Sequence, residues 1–320
     1  MAEYKGIKGN KIQNYTTDPD NPLTGQVWYN ETDQVLKVNT GALVGAWATV
    51  NSLNTARNAL AGTGIQTAAL AFGGENPPGP NALTESYNGT NWTEVNDLNT
   101  GRYLLGGAGT QTAGLAFGGI GPNQAATELW NGTNWAAVNN LNTARRALAG
   151  AGASNTAALA FGGGDPNTGA TELWNGTNWT EVNDLNTARD FIAGVGTSTA
   201  ALGFGGYVPP QTAVTESWNG TSWTEVNDLN TARNQLAGAG IQTAALAFGG
   251  LIPSPTLYTG ETESWNGTSW TEVNDLNTAR QGSAGVGTNT SALAAGGESP
   301  RTAATEEWNI TGGTKTITSS

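Results

Sequence analysis

The sequence predicts an all-β protein, a six-bladed β-propeller behind a short β-hairpin, and three observations carry the prediction. Six tryptophans, Trp47, Trp92, Trp135, Trp179, Trp223 and Trp270, stand 45, 43, 44, 44 and 47 residues apart. A fixed period of that length marks a repeat architecture. Six Gly-Gly pairs, beginning at Gly73, Gly118, Gly162, Gly205, Gly249 and Gly296, count the same units. Composition agrees, because Gly (46) and Trp (12) are abundant while large aliphatics are scarce. Short strands and tight turns suit such a chain better than long helices do.

Residues 1–46 differ from the rest and form an N-terminal extension. Asp18-Pro19-Asp20-Asn21-Pro22 reads as a turn-rich link. Residues 26–30, a polar turn at Glu31-Thr32-Asp33, and residues 34–38 then read as a β-hairpin. The repeat follows, most cleanly after Leu229. Asn230-Thr231-Ala232-Arg233 leads into a glycine-rich first strand over 236–240, and 243–248 alternates with period two as a second. A proline-bearing loop precedes a third strand at Glu263-Ser264-Trp265-Asn266 and a fourth at Trp270-Thr271-Glu272-Val273. Asn266-Gly267 signals a tight hairpin, since both residues tolerate positive φ. Four such strands make one blade, and blades set radially make a propeller. Small residues of the first strand suit the axis. Phe72, Phe117, Phe161, Phe204 and Phe248 are expected to fill the space between blades, with Ala295 in the sixth.

The array starts with a fourth strand at Trp47 and ends with three strands of a last unit at Trp308. Closure is therefore expected from the Trp47 strand lying beside the Trp308 strand, within a propeller domain of 47–320. The strand-like tail Thr314-Lys315-Thr316-Ile317-Thr318 competes for that place; the Trp47 strand is favoured because it carries the repeated Trp, and the tail is then expected to add a fifth strand or cover an edge. Strand alternation puts second-to-third loops and the Asn-Asp-Leu-Asn-Thr links on one face. Asn-Gly hairpins and first-to-second loops take the other, the side from which the extension is expected to enter.

Arg, a glycine-rich strand, an apolar strand ending in Gly-Gly, an aromatic and then Trp is an order that resembles the kelch motif over about 47–310. Trp130, Trp174, Trp218, Trp265 and Trp308 stand where kelch repeats often carry the Tyr that Tyr87 keeps. The resemblance implies a propeller and leaves function open, because one fold hosts many jobs. Gly25-Gln26-Val27-Trp28-Tyr29-Asn30 with Val35-Leu36-Lys37-Val38 resembles a hairpin of bacteriophage tail-fibre and other virion proteins. Near-identical kelch units behind it are similar to structural proteins of phages of aquatic bacteria. These resemblances imply a virion structural protein made in the host cytoplasm, contacting other virion proteins through the extension, with homo-oligomers allowed.

Net charge is −12, with 13 Lys and Arg, so neither a phosphate backbone nor an anionic membrane is an expected partner. Cys and His are both absent, which excludes disulfides, His/Cys zinc and copper sites and Ser-His-Asp triads; no cofactor is expected. Residues 1–13 lack an apolar core, and no apolar run approaches a membrane span, so neither a secretory signal nor an inserted helix is expected. Arg57, Arg102, Arg145, Arg189, Arg233 and Arg280 are matched in number by Glu85, Glu128, Glu172, Glu216, Glu263 and Glu306. Structural Arg–carboxylate pairs explain that match better than a polyanion site at the channel mouth. The Asn-Gly-Thr triplets also match the glycosylation sequon, but a turn role suffices.

Differences among the units concentrate in the second-to-third loops and in the residues just after each Arg. Both sets are expected on one face, which points to binding through Tyr103, Phe191, Tyr207 and Tyr258, the tyrosines being read as exposed. The expected job is attachment, to host surface glycan or to a neighbouring virion protein. The alternatives are a capsid or tail decoration protein without receptor binding, and a glycan-cleaving enzyme. The latter is not expected, because Glu75, Asp165 and Glu298 lie in different units with no pairing signal.

Overall fold

The computed structural model describes residues 12–17, 26–122, 124–164, 166–253 and 257–317, with backbone alone for 39–44 and 312–317. The expected link at residues 18–22, Asp165 and Thr318 lie outside the described residues. Within them the chain is all-β. Blade 1 is an antiparallel sheet of Ala61–Ile65, Ala68–Phe72, Thr84–Tyr87 and Trp92–Val95. Blades 2 to 5 repeat it over 106–138, 149–182, 193–226 and 237–273. A sixth, six-stranded sheet contains Ala284–Gly287, Ser291–Ala295, Thr305–Ile317 and Val35–Val50. Two further two-stranded sheets are ribbons within loops, Glu75–Asn76 with Gly79–Pro80 and Leu251–Ile252 with Leu257–Tyr258.

Hydrogen bonds between blades run in closed cycles. The indole N–H of each fourth-strand Trp donates to a threonine hydroxyl of the preceding blade, at 3.0–3.2 Å. Trp135 reaches Thr84, Trp179 Thr127, Trp223 Thr171, Trp270 Thr215, Trp47 Thr262, and Trp92 closes the circle on Thr305. A second cycle joins the N–H of the second glycine in each Gly-Gly pair to the Arg carbonyl of the next blade, from Gly74 to Arg102 round to Gly297 and Arg57. Both glycines are left-handed (Gly73 φ 67°, Gly74 φ 101°), and a Cβ on Gly73 would lie 2.6 Å from the Arg102 carbonyl oxygen. Hence the pair recurs in every unit.

Trp47 takes the fourth-strand place of the last blade, its ring 5.6 Å from Trp308, much as Trp270 lies 5.3 Å from Trp265. The tail makes no fifth strand. It continues the third strand as Thr305–Ile317, neighbouring Val35–Val50 in the sheet, because that strand extends well before Trp47 and leaves unpaired backbone to satisfy.

The core lies between blades. Phe72, Phe117, Phe161, Phe204 and Phe248 pack on the next blade's Trp135, Trp179, Trp223, Trp270 and Trp47, with ring centroids 4.7–5.0 Å apart. An aromatic side chain removes about 150–250 Å² from water, contributing about 4–6 kcal/mol at roughly 25 cal/mol/Å² before entropy is counted. The ring tip also dictates a glycine. A Cβ on Gly150 would lie 2.7 Å from Phe117 Cζ and 2.5 Å from the Gly107 carbonyl oxygen. Gly62 faces the blade with Ala295, and its Cβ would meet Val286 Cγ1 at 3.0 Å. Gly150→Ala is therefore expected to cost about 1–3 kcal/mol in urea unfolding, and Gly62→Ala clearly less, because a valine methyl can yield.

The Asn-Gly turn differs from expectation. Pairing of Tyr87 with Trp92 leaves four residues in the hairpin, and only the glycine is left-handed (Gly89 φ 88°). Asn88 acts through its side chain, Oδ1 accepting from the N–H groups of Thr90 and Asn91 at 2.9 and 2.8 Å.

By compactness Met1–Ala46 groups with Asn309–Ser320, and Trp47–Trp308 forms the other unit, so the tail belongs with the extension rather than the propeller. In the first unit the expected hairpin is present, with Val27 opposite Val38 and Asn30 opposite Val35. Gln13–Tyr15 adds an unpredicted parallel strand beside Val27–Asn30. Trp28 is fully buried.

Candidate binding face

The links between blades are built around the repeated arginine. Each Arg is no more than 1% exposed and pairs with the Glu of its own blade. Arg57–Glu85 and Arg280–Glu306 stand at 3.1 Å, Arg233–Glu263 at 2.8 Å, Arg102–Glu128 at 2.7 Å, Arg145–Glu172 and Arg189–Glu216 at 2.6 Å. The second carboxylate oxygen is held by the link, where Asn186 donates its backbone and side-chain N–H to Glu216 at 2.7 and 2.8 Å. Burial pushes the arginine pKa values down, while the facing glutamates oppose the shift. Buried and paired, these guanidinium groups hold the blade together and do not line the channel mouth.

Two residues beyond each Arg stands a left-handed residue: Ala59, Leu104, Ala147, Phe191, Gln235 and Gly282, with φ from 51° to 61°. The turn aims each backbone N–H around the axis, onto the carbonyl oxygen of the equivalent residue in the preceding blade, at 2.7–3.2 Å. Six such bonds form a closed backbone ring. The next residues, Leu60, Leu105, Leu148, Ile192, Leu236 and Ser283, make a collar, and ring and collar enclose a cup of about 90 Å³. Beyond the collar the first-strand glycines line the axis.

Around the cup lies a second circle. Asn58, Tyr103, Asp190, Asn234 and Gln281 form single bridges to Glu75, Ile120, Tyr207, Leu251 and Glu298, the starts of the second-to-third loops. In blade 3 the N–H of Gly164 donates to the Arg146 carbonyl at 2.9 Å. The two sets of varying residues are thus hydrogen-bonded to one another at one rim.

The individual site residues separate. Tyr258, on the Leu251–Ile252/Leu257–Tyr258 ribbon, is 41% exposed beside Leu257 at 52%. Tyr103 and Tyr207 are half-buried rather than exposed, because bridge pairing pulls their backbone down onto the adjoining segment. Phe191 lies on the cup, away from the loops. Glu75 and Glu298 share a cluster between blades 6 and 1: Asn58 Nδ2 donates to Glu298 at 2.6 Å, Arg301 Nε donates to Asn58 Oδ1 at 3.1 Å, and Arg301 stands 3.6 Å from Glu75. Among the described residues no group of three acids could hold a metal ion.

Sequence reasoning pointed at the residues just after each Arg and, at the next position, named Phe191 alone. The only signal of that position was the varied residue before a recurring aliphatic, and nothing local announces a backbone ring. No protein-family model matches the chain, and no curated protein is significantly similar to it.

Proposed function

We propose that this chain is a non-enzymatic structural protein of a bacteriophage particle, a kelch-like propeller held by its N-terminal extension and attaching to host surface glycan through the varied face. The observation that carries the reading is where differences fall among six otherwise near-identical units: on segments that meet one another at a single rim. Selection that keeps the repeats uniform while diversifying one rim is what a recognition surface requires. Asn, Gln and Thr there can hydrogen-bond hydroxyl groups, and Tyr258 offers an aromatic face. The hairpin resemblance supports a place on a virion.

The test is adsorption of labelled protein to a panel of bacterial cells and isolated surface polysaccharides. Tyr258→Ala should weaken adsorption about fivefold, near 1 kcal/mol for a lost stacking platform, with Tm unchanged. Substituting Thr221 and Ser222 in an Asn-Gly-Thr hairpin should leave adsorption intact. Adsorption that follows the hairpin and ignores Tyr258 would reverse the assignment of faces.

A further inference from the structure

We propose that the axial cup is a subsite for the acetamido group of an N-acetylated sugar, an inference that rests on reading the varied face as glycan-binding. Three features of the cup converge on that chemistry.

The first is strain. A non-glycine residue in the left-handed region carries a cost on the order of 1 kcal/mol. Blade 6 shows that glycine serves the backbone ring equally well, since Gly282 makes the same two hydrogen bonds. Phe191 and Gln235 nevertheless occupy this position in blades 4 and 5, and both are half-buried, so packing within the blades does not account for them. Leu104 in blade 2 is half-buried at the same position, so three large side chains stand around the cup where glycine would serve the ring.

The second is the distribution of polarity. Leu60, Leu105, Leu148, Ile192 and Leu236 make an aliphatic collar, and Phe191 adds an aromatic wall. On one side the collar breaks: Gln235 of blade 5 and Ser283 of blade 6 line the cup, and neither side chain hydrogen-bonds to any described protein group. An amide and a hydroxyl standing unpaired beside an apolar collar call for a ligand with one apolar end and one hydrogen-bonding end.

The third is size and charge. The cup, about 90 Å³ and open at its rim, has room for a small group such as a methyl amide. No charged side chain lines the cup, and the chain carries −12 overall, so a carboxylate or phosphate would enter unpaired against the field. A neutral acetamido group meets every condition. Its methyl seats on the leucine collar, its N–H and C=O meet Gln235 and Ser283, and the sugar ring remains at the rim over Phe191.

The test is a glycan array, followed by calorimetry with the β-linked trimers of N-acetylglucosamine and of glucose. Native protein should bind the N-acetylated trimer at least tenfold more tightly. Phe191→Gly and Gln235→Gly should each lose at least tenfold in that affinity without a fall in Tm, since glycine takes this backbone conformation freely. Equal affinity for the two trimers, no binding of the N-acetylated trimer, or glycine variants that bind like native protein would overturn the proposal. Binding of non-acetylated glycans that depends on Tyr258 would sink the cup assignment and leave the glycan-attachment reading standing. Silence across the whole array, with no adsorption to cells, would end both.

Discussion

Arg189→Ala is expected to lower stability by about 3–5 kcal/mol, because it leaves Glu216 buried and unpaired. The carboxylate is fully inaccessible, 2.6 Å from the guanidinium, and its other oxygen is already committed to Asn186. The arginine also ties the link to the second strand, Nη1 donating to the Thr187 carbonyl and Nη2 to that of Gly203, at 3.2 and 3.3 Å. Arg301→Ala is the matched comparison. Its pair with Glu75 stands at 3.6 Å with both side chains partly in water, and it also donates to Asn58 Oδ1, so its loss should cost clearly less, about 1–2 kcal/mol. Equilibrium urea unfolding reads both. Replacing Arg189 and Glu216 together by methionine and leucine should recover part of the loss, because paired removal leaves no orphan charge, although the Asn186 donors lose their acceptor. A double variant as unstable as Arg189→Ala would show that the pair does more than satisfy its own charge.

The second large effect concerns the strand that completes the ring. Deleting residues 1–52 should cost several kcal/mol and move the unfolding midpoint sharply, whereas deleting residues 1–40 should leave the propeller's Tm nearly unchanged. The longer truncation removes Trp47, which is 6% exposed, packs on Phe248 with centroids 4.8 Å apart and donates to Thr262. It also removes the carbonyl that accepts from Asn277 Nδ2 at 3.1 Å and exposes the third strand of blade 6 as an open edge. Loss of one buried Trp alone is worth about 3–5 kcal/mol. Equal melting temperatures for the two truncations would mean that the ring holds without this strand.

The sequence by itself determined the repeat and the strand order within each unit. Those properties follow from local pattern: period-two alternation, Gly-Gly at fixed spacing, and one Trp per unit. It also favoured Trp47 over the strand-like tail as the closing strand, because an array that begins with a fourth strand and ends with a third offers each end a partner in the other. The Arg–Glu pairing was legible for a similar reason, since buried charges must be matched and both residues recur once per unit.

What only the tertiary structure decided are the features produced when separate blades meet. The tyrosines are one case. Tyr103, Tyr207 and Tyr258 look alike along the chain, yet only Tyr258 rises on a ribbon into solvent, while bridge pairing holds the other two half-buried. The axial ring is another. Ala59, Leu104, Ala147, Phe191 and Gln235 carry no local signal for a left-handed turn, and propensity argues against it. They adopt that turn because six N–H groups can be satisfied together only by pointing around the axis at six neighbouring carbonyls. That bond set exists only when all six blades are present, and no stretch of one unit encodes it.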